Sequence, residues 1–342
     1  MHVLVTGGAG YVGSISVEAL VAAGHEVVVL DDLSKGHRDA LPDGVRLVQG
    51  SYGDSAVVQP LLASSRIDAV LHCAARSLVG ESIADPALYY RENVAGGVAL
   101  LEALRAAGVQ RLVFSSTAAV YGAPARIPIR EDAVLAPINP YGETKRTFEG
   151  ALRWYAAAYG LRSVSLRYFN VAGASLRNGE VHVPETHLIP NVLAAADGGA
   201  ALTVFGTDYP TSDGTCVRDY LHVEDLARAH VLALEATAPY DPRTSAAPGL
   251  PGDDVGAAAL AINLGNGGGF SVREVLAAAE TVVGRPIPRA IGERRAGDPP
   301  GLVADAGRAG EILGWRAEHR DIVGIVRSAW AWRQAHPDGY RA

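Results

Sequence analysis

Gly7, Gly10 and Gly13 follow a short apolar run at residues 2–6 as Gly-x-x-Gly-x-x-Gly, and the helical stretch they open reaches Ala23 before Gly24 stops it. A strand that passes through glycines directly into a helix needs a tight turn and close backbone approach. It also leaves a helix N-terminus whose free N–H groups and partial positive charge suit a pyrophosphate. The second apolar run ends at Asp31, 18 residues after Gly13, where a carboxylate accepts the two hydroxyls of an adenosine ribose. A carboxylate there repels a ribose phosphate, so the pattern predicts NAD rather than NADP; Lys35 nearby weakens that only slightly.

Further apolar runs at residues 27–30, 45–48, 69–72, 112–115 and 163–167 alternate with helix-length amphipathic stretches. This rhythm predicts βαβ units and an α/β fold: a Rossmann-type, doubly wound parallel sheet with helices on both faces. The rhythm fades over residues 173–218, which are rich in Gly, Asn, Pro and Thr, with one helical stretch near 190–196. Helical period returns over 221–235, and residues 260–263 are expected to rejoin the sheet as a last strand. Ser271 with Glu274 predicts a capping box, and residues 306–313 and 321–336 read as closing helices. The expected division is therefore a dinucleotide domain over 1–172, with 219–264 returning to it, and a smaller mixed C-terminal substrate domain from 173–218 and 265–342. Residues 239–256, rich in Pro, Gly, Asp and Ala and without period, read as a surface loop.

Thirty cationic against 37 acidic residues leave a net charge of -7, so no general basic field is available for nucleic acid or an anionic membrane. The first apolar run is too short for a signal peptide or a membrane span, which predicts a cytoplasmic protein. Cys73 and Cys216 are too few and too far apart for a disulfide framework or a metal knuckle, so no metal is expected.

Lys35 and Lys145 are the only lysines among those 30 cations, and Lys145 stands four positions after Tyr141. With thirteen tyrosines in 342 residues, chance places such a pair about 0.08 times. In a helix the two share a face, which puts a phenol and an ammonium into one pocket. A lysine kept in an arginine-rich chain points to a compact charge beside a phenol and a sugar hydroxyl, a place a planar guanidinium does not fill.

With Thr6 to Gly13 and Tyr141 to Lys145 placed, the chain resembles the extended short-chain dehydrogenase/reductase superfamily. Three further stretches, Ser115 to Gly122, Arg167 to Asn170, and Phe205 to Thr211 running on to Val217-Arg218-Asp219-Tyr220, resemble the UDP-glucose (UDP-galactose) 4-epimerase family over nearly the whole chain. That resemblance implies Tyr141 as general base on the sugar 4-hydroxyl, with Lys145 and the nicotinamide charge lowering its pKa and Thr117 relaying the proton. It places Tyr11, Val12, Asp32, Ser34, Lys35, Ser51, Tyr52, Cys73, Ala74, Ala75, Arg76, Asn93, Ser115 and Tyr168 at the cofactor. Arg218 and Arg295 are implied as ligands of the substrate diphosphate, with Asn170, His187, Leu188, Phe205 and Asp298 around the nucleotide and Leu302 at the sugar. A homodimer on the helices before and after the Thr117 strand is implied as well.

Several positions depart from the family pattern. Ser51-Tyr52 replaces an Asp-Ile or Asp-Val pair at the adenine, Arg76 a lysine, and Ile15-Ser16 a His-containing pair. Leu302 is intermediate between the aromatic that restricts the sugar and the small residue that admits N-acetylated ones, so UDP-pentose and UDP-N-acetylhexosamine stay open beside UDP-glucose/UDP-galactose. Ala118-Ala119 after Thr117 lack the acidic pair a dehydratase needs. A non-catalytic NAD-binding regulator is the reading from another class; it has no need of Tyr141, Lys145 and Thr117, which are all present.

Overall fold

A computed structural model describes residues 1–238, 258–295 and 298–340; the stretch 239–256 expected as a loop lies outside them. The first six strands are β1 (His2–Thr6), β2 (Glu26–Asp31), β3 (Arg46–Gln49), β4 (Ala69–His72), β5 (Arg111–Ser115) and β6 (Arg162–Tyr168). Three more, β7 (Asn170–Ala172), β8 (Leu202–Phe205) and β9 (Val217–His222), lie elsewhere before β10 (Ala259–Leu264) returns. These last residues pair with β6, completing a parallel sheet of order β10-β6-β5-β4-β1-β2-β3. The expected α/β fold is thus the observed one. Strand order reverses between β1 and β4, and the crevice at their carboxyl ends is where such sheets bind ligands.

Alternation along the strands feeds two cores. Val3 and Val5 face helices Tyr11–Ala22 and Val223–Ala236 through Val17, Leu20, Leu226 and Ala233. Leu4, Val70 and Phe114 face helices Gly97–Ala106 and Pro140–Tyr159 through Leu100, Phe148 and Leu152. Burial of each such side chain contributes about 1.5–3 kcal/mol.

A third core joins helices Leu188–Ala196, Val272–Val283 and Ile322–Ala335. The small sheets beside it include β11 (Gly269–Ser271) antiparallel to β9, β12 (Arg289–Gly292) parallel to β8, and β13 (Gly301–Leu302) parallel to β9. Ser271 and Glu274 form the expected capping box, and Asp321 caps the last helix by accepting from Val323 and Gly324. Among the described residues no helix is long and apolar enough to cross a membrane.

Two expected boundaries shift. The helix expected from 221 begins at Val223, because Leu221 and His222 end β9, and the His222 imidazole accepts the Glu224 N–H as its cap. The domain boundary drawn at 219 therefore falls inside a strand of the small sheet. Helix Gly307–Leu313, assigned to the substrate domain, packs on the first core instead: Trp315 is 1% exposed there and donates to the Asp225 carbonyl.

Candidate active site

The glycine turn does two jobs. A Cβ on Gly7 (φ +69°) would lie 2.5 Å from the Ala74 nitrogen, and one on Gly13 would lie 2.0 Å from the Gly7 oxygen. Both are packing glycines. A Cβ on Gly10 would meet only the Gly7 oxygen at 3.5 Å, so this residue faces the open crevice. Helix Tyr11–Ala22 has no side-chain cap and no acidic residue in its first turn, which leaves its N–H groups for an anion. The Asp31 carboxylate accepts the Ala9 and Leu33 N–H groups, each at 2.9 Å, and these hold it in place with lone pairs to spare. Burial pushes its pKa up and the two N–H groups pull it back. This cradle fits a dinucleotide.

Tyr141 and Lys145 lie on one buried face of helix Pro140–Tyr159. Local sequence starts that helix sharply: the Asn139 side chain accepts the Gly142 N–H at 2.8 Å, and Pro140 fits the first turn. Gly142 allows the helix to press on the segment after β5, since a Cβ there would lie 2.5 Å from the Ala119 oxygen. That approach brings Tyr141 near Thr117, whose hydroxyl accepts the Ala119 N–H at 3.1 Å and so caps the turn after β5. Lys145 Nζ donates to the Ser115 carbonyl at 2.8 Å, 4.6 Å from the Phe114 ring centre.

Burial pushes the Lys145 ammonium down to about 8. It also pushes the Tyr141 phenol up, and the nearby Thr117 hydroxyl offsets only part of this. The expectation that Lys145 lowers the phenol is not met by the protein alone. Its ammonium is turned to the Ser115 carbonyl, 6.0 Å from the Tyr141 ring centre, too far to outweigh desolvation.

Behind this pair, Glu149 accepts from Ser116 Oγ at 2.5 Å and pairs with Arg167 at 2.6 Å, both side chains at most 7% exposed. Arg167 also donates to the Tyr121 hydroxyl, which donates in turn to Asn263. The network locks the end of β5, helix Pro140–Tyr159 and β6 together.

One cavity of about 1180 Å³ runs from the glycine turn past Tyr141 to Leu302. Its wall holds Tyr11, Val12, Asp32, Ser34, Lys35, Ser51, Tyr52, Cys73, Ala74, Ala75, Arg76 and Tyr168 on the dinucleotide side. Asn170, His187, Leu188, Phe205, Arg218, Arg295, Asp298 and Leu302 line the far side. Asn93 and Ser115, expected at the cofactor, stand behind the wall. Asn93 bonds both the N–H and the carbonyl of Arg76, and buried Ser115 contacts Cys73, His230 and Lys145.

Other expected residues are already engaged. Tyr52 donates to the Glu92 carbonyl, Ser51 accepts the Gly53 N–H, and Lys35 reaches across to the Val183 carbonyl at 2.5 Å. Arg218 pairs with Asp298 at 2.6 Å, and the Arg295 guanidinium lies 4.1 Å over the Phe205 ring. Sequence reasoning missed Asn139 and Gly142, although Asn-Pro before a helix was a visible signal, and it missed Glu180 and His182 on the lip of the cavity.

A profile described as "NAD dependent epimerase/dehydratase family" matches residues 3–244. A protein named UDP-glucose 4-epimerase from Lactobacillus helveticus is 48% identical over 99% of this chain and 99% of its own. The crystal structure of a UDP-glucose 4-epimerase from Brucella ovis in complex with NAD is 46% identical, covers 97% of this chain and 98% of that one, and superposes with a TM-score of 0.89. Another, from Stenotrophomonas maltophila with bound NAD and formylated UDP-arabinopyranose, is 40% identical over 98% and 99%, with a TM-score of 0.90. A glycine cradle, a buried Tyr-Lys-Thr cluster and matches of this length lead to one conclusion: the chain belongs to the NAD-dependent epimerase/dehydratase family.

Proposed function

We propose that this protein inverts carbon 4 of a UDP-sugar, most simply UDP-glucose and UDP-galactose, by transient oxidation of the 4-hydroxyl. The observation that carries the reading is that Tyr141, Thr117 and Lys145 line the same cleft as the glycine cradle and as Arg218 and Arg295. NAD, when bound, takes up and returns a hydride and adds the positive charge of its ring beside the phenol.

Tyr141 removes the proton from the 4-hydroxyl and later returns it, and Thr117 holds the same oxygen. Lys145, held at the Ser115 carbonyl, is the donor for the ribose hydroxyls and only adds its charge to that of the bound ring in favour of the phenolate. Gly7, Gly10, Tyr11, Val12 and Gly13 bind the pyrophosphate of the dinucleotide, Asp31 its adenosine ribose, and Asp32, Ser34, Ser51 and Tyr52 its adenine end. Cys73, Ala74, Ala75, Arg76 and Tyr168 line the rest of that groove. Arg218 and Arg295 grip the substrate diphosphate, which fixes one end of the nucleotide while the oxidised sugar turns to present its other face. Asn170, His187, Leu188, Phe205 and Asp298 surround the uridine.

Leu302 at the end of the cleft leaves room for a second reading, a UDP-pentose or UDP-N-acetylhexosamine as the preferred substrate. Residues 1–172 with the stretch 223–264 hold the dinucleotide in this scheme, and the remainder, apart from the 307–315 segment, the nucleotide sugar. The protein is cytoplasmic and dimeric, its Gly97–Ala106 and Pro140–Tyr159 helices facing a second copy; the latter exposes Trp154 and Tyr159. Incubation with UDP-galactose, UDP-N-acetylgalactosamine and UDP-arabinose, with the products resolved, tests the reading. Formation of no 4-epimer from any of the three refutes it.

A further inference from the structure

Four side chains of metal-ligand type occur within eight residues, Glu180, His182, Glu185 and His187, and the fold turns them toward one point on the lip of the cleft. Both imidazoles direct Nδ1 inward. His182 Nδ1 lies 3.0 Å and His187 Nδ1 2.9 Å from the same Glu180 Oε1, and His187 Nδ1 lies 2.8 Å from Glu185 Oε1. One ligand atom from each residue lies within 4.8 Å of the other three.

A tetrahedral ion with bonds near 2.1 Å separates its ligands by about 3.4 Å, so slight outward relaxation of this cluster admits one. Two imidazoles and two carboxylates without a thiol are a donor set suited to zinc. The Thr186 and His187 N–H groups, each at 2.7 Å, hold the same Glu185 Oε1 that faces His187, which fixes the carboxylate and leaves Oε2, 3.7 Å from His182 Nδ1, as a second ligand atom. The Glu180 side chain is only 8% exposed, and among the described residues neither carboxylate pairs with Lys or Arg. A central dication compensates both carboxylates and takes the two inward Nδ1 atoms as ligands.

We propose that Glu180, His182, Glu185 and His187 form a tetrahedral site for a zinc-class divalent cation that staples the lip of the cleft. Four protein ligands leave no open position, so the ion is structural. The segment it pins touches both ends of the cleft. His187 begins helix Leu188–Ala196, His182 stands edge-on to the Tyr11 ring at 6.4 Å, and Val183 between them accepts from Lys35.

Among the described residues a second His-Glu group, His222, Glu224 and His319, does not qualify. His222 Nδ1 accepts the Glu224 N–H and its Nε2 is bonded to Ser328 Oγ, so neither nitrogen is free.

The test is the metal content of untagged full-length protein, expressed with zinc in the medium and dialysed without chelator, together with the visible spectrum after exchange with cobalt(II). The expected result is about one zinc per chain and the intense bands of tetrahedral cobalt. Both are lost in His182→Ala and in Glu185→Gln, and both are kept in His319→Ala. Folding of each variant is checked by circular dichroism and by its retained dinucleotide. Wild-type protein with less than about a tenth of an equivalent of zinc and no tetrahedral cobalt spectrum overturns the proposal. So does loss of metal from His319→Ala with retention in folded His182→Ala. The readout is metal, not turnover, so failure here leaves the epimerase reading untouched.

Discussion

The two ends of the cleft present charge by opposite means. The dinucleotide end is made of backbone: Gly7, Gly10 and Gly13 bring an uncapped helix terminus to the crevice, and its N–H groups come with the turn itself. The far end is made of side chains from separate segments. Arg218 and Asp298 meet from 80 residues apart, and Arg295 rests on Phe205. A backbone site is fixed once the strand and helix pack, and its tolerance is set by Cβ clearance. A side-chain site depends on several loops at once, and its guanidinium groups are already committed before substrate arrives. Steric changes should therefore break the first end, and changes of charge geometry the second.

The junction between them carries the largest expected effect. Tyr141→Phe should lower kcat about 10³-fold, roughly 4 kcal/mol, while the dinucleotide stays bound. UDP-galactose turnover and bound-dinucleotide absorbance measure the two; full activity would remove Tyr141 as the base.

Arg167→Leu strands the buried Glu149 carboxylate and should cost about 3–5 kcal/mol in thermal unfolding. A loss below about 1 kcal/mol would mean that the seam behind the site does not hold the two ends in register.

The buried Lys145 gives a pH signature. Its folded pKa of about 8 lies below the unfolded value near 10.4, so the native state binds fewer protons between them. Its contribution is full above the unfolded value and is lost as pH falls through the folded one, up to about 3 kcal/mol across that window. Thermal melts between pH 8 and 10 should rise for the wild type relative to Lys145→Met; parallel profiles would show that the ammonium is solvated.

Gly13→Ala forces a Cβ against the Gly7 oxygen and should cost about 1–3 kcal/mol, whereas Gly10→Ala should leave stability nearly unchanged and weaken dinucleotide binding. Equal melting losses for the two would dissolve the distinction between packing and cradle glycines.

At the far end, Arg218→Lys should raise KM for the UDP-sugar about fivefold, near 1 kcal/mol, with dinucleotide content unchanged, since a point charge cannot reproduce the fork held by Asp298. An unchanged KM would take Arg218 out of diphosphate binding.

Legibility followed the same division. The parallel sheet, the glycine turn, Asp31 and the Tyr141–Lys145 face were readable, because each is a local pattern whose physics acts within one element. The shifts came where distant partners decide. Nothing near Trp315 in sequence signals that it belongs to the first core, because its partner Asp225, on helix Val223–Ala236, lies 90 residues upstream. Asn93 and Ser115 carry polar side chains that suit a cofactor, yet contacts with Arg76, Cys73 and His230 place them behind the wall.

By itself the sequence determined the fold class, the glycine turn after β1 and the shared helix face of Tyr141 and Lys145, because hydrogen-bond geometry, strand alternation and helical period are short-range. Only the tertiary structure decided the burial of the Tyr141 phenol, the Arg218–Asp298 and Arg295–Phe205 pairings, and the convergence of Glu180, His182, Glu185 and His187. Each of these depends on burial and on distances that no spacing along the chain specifies.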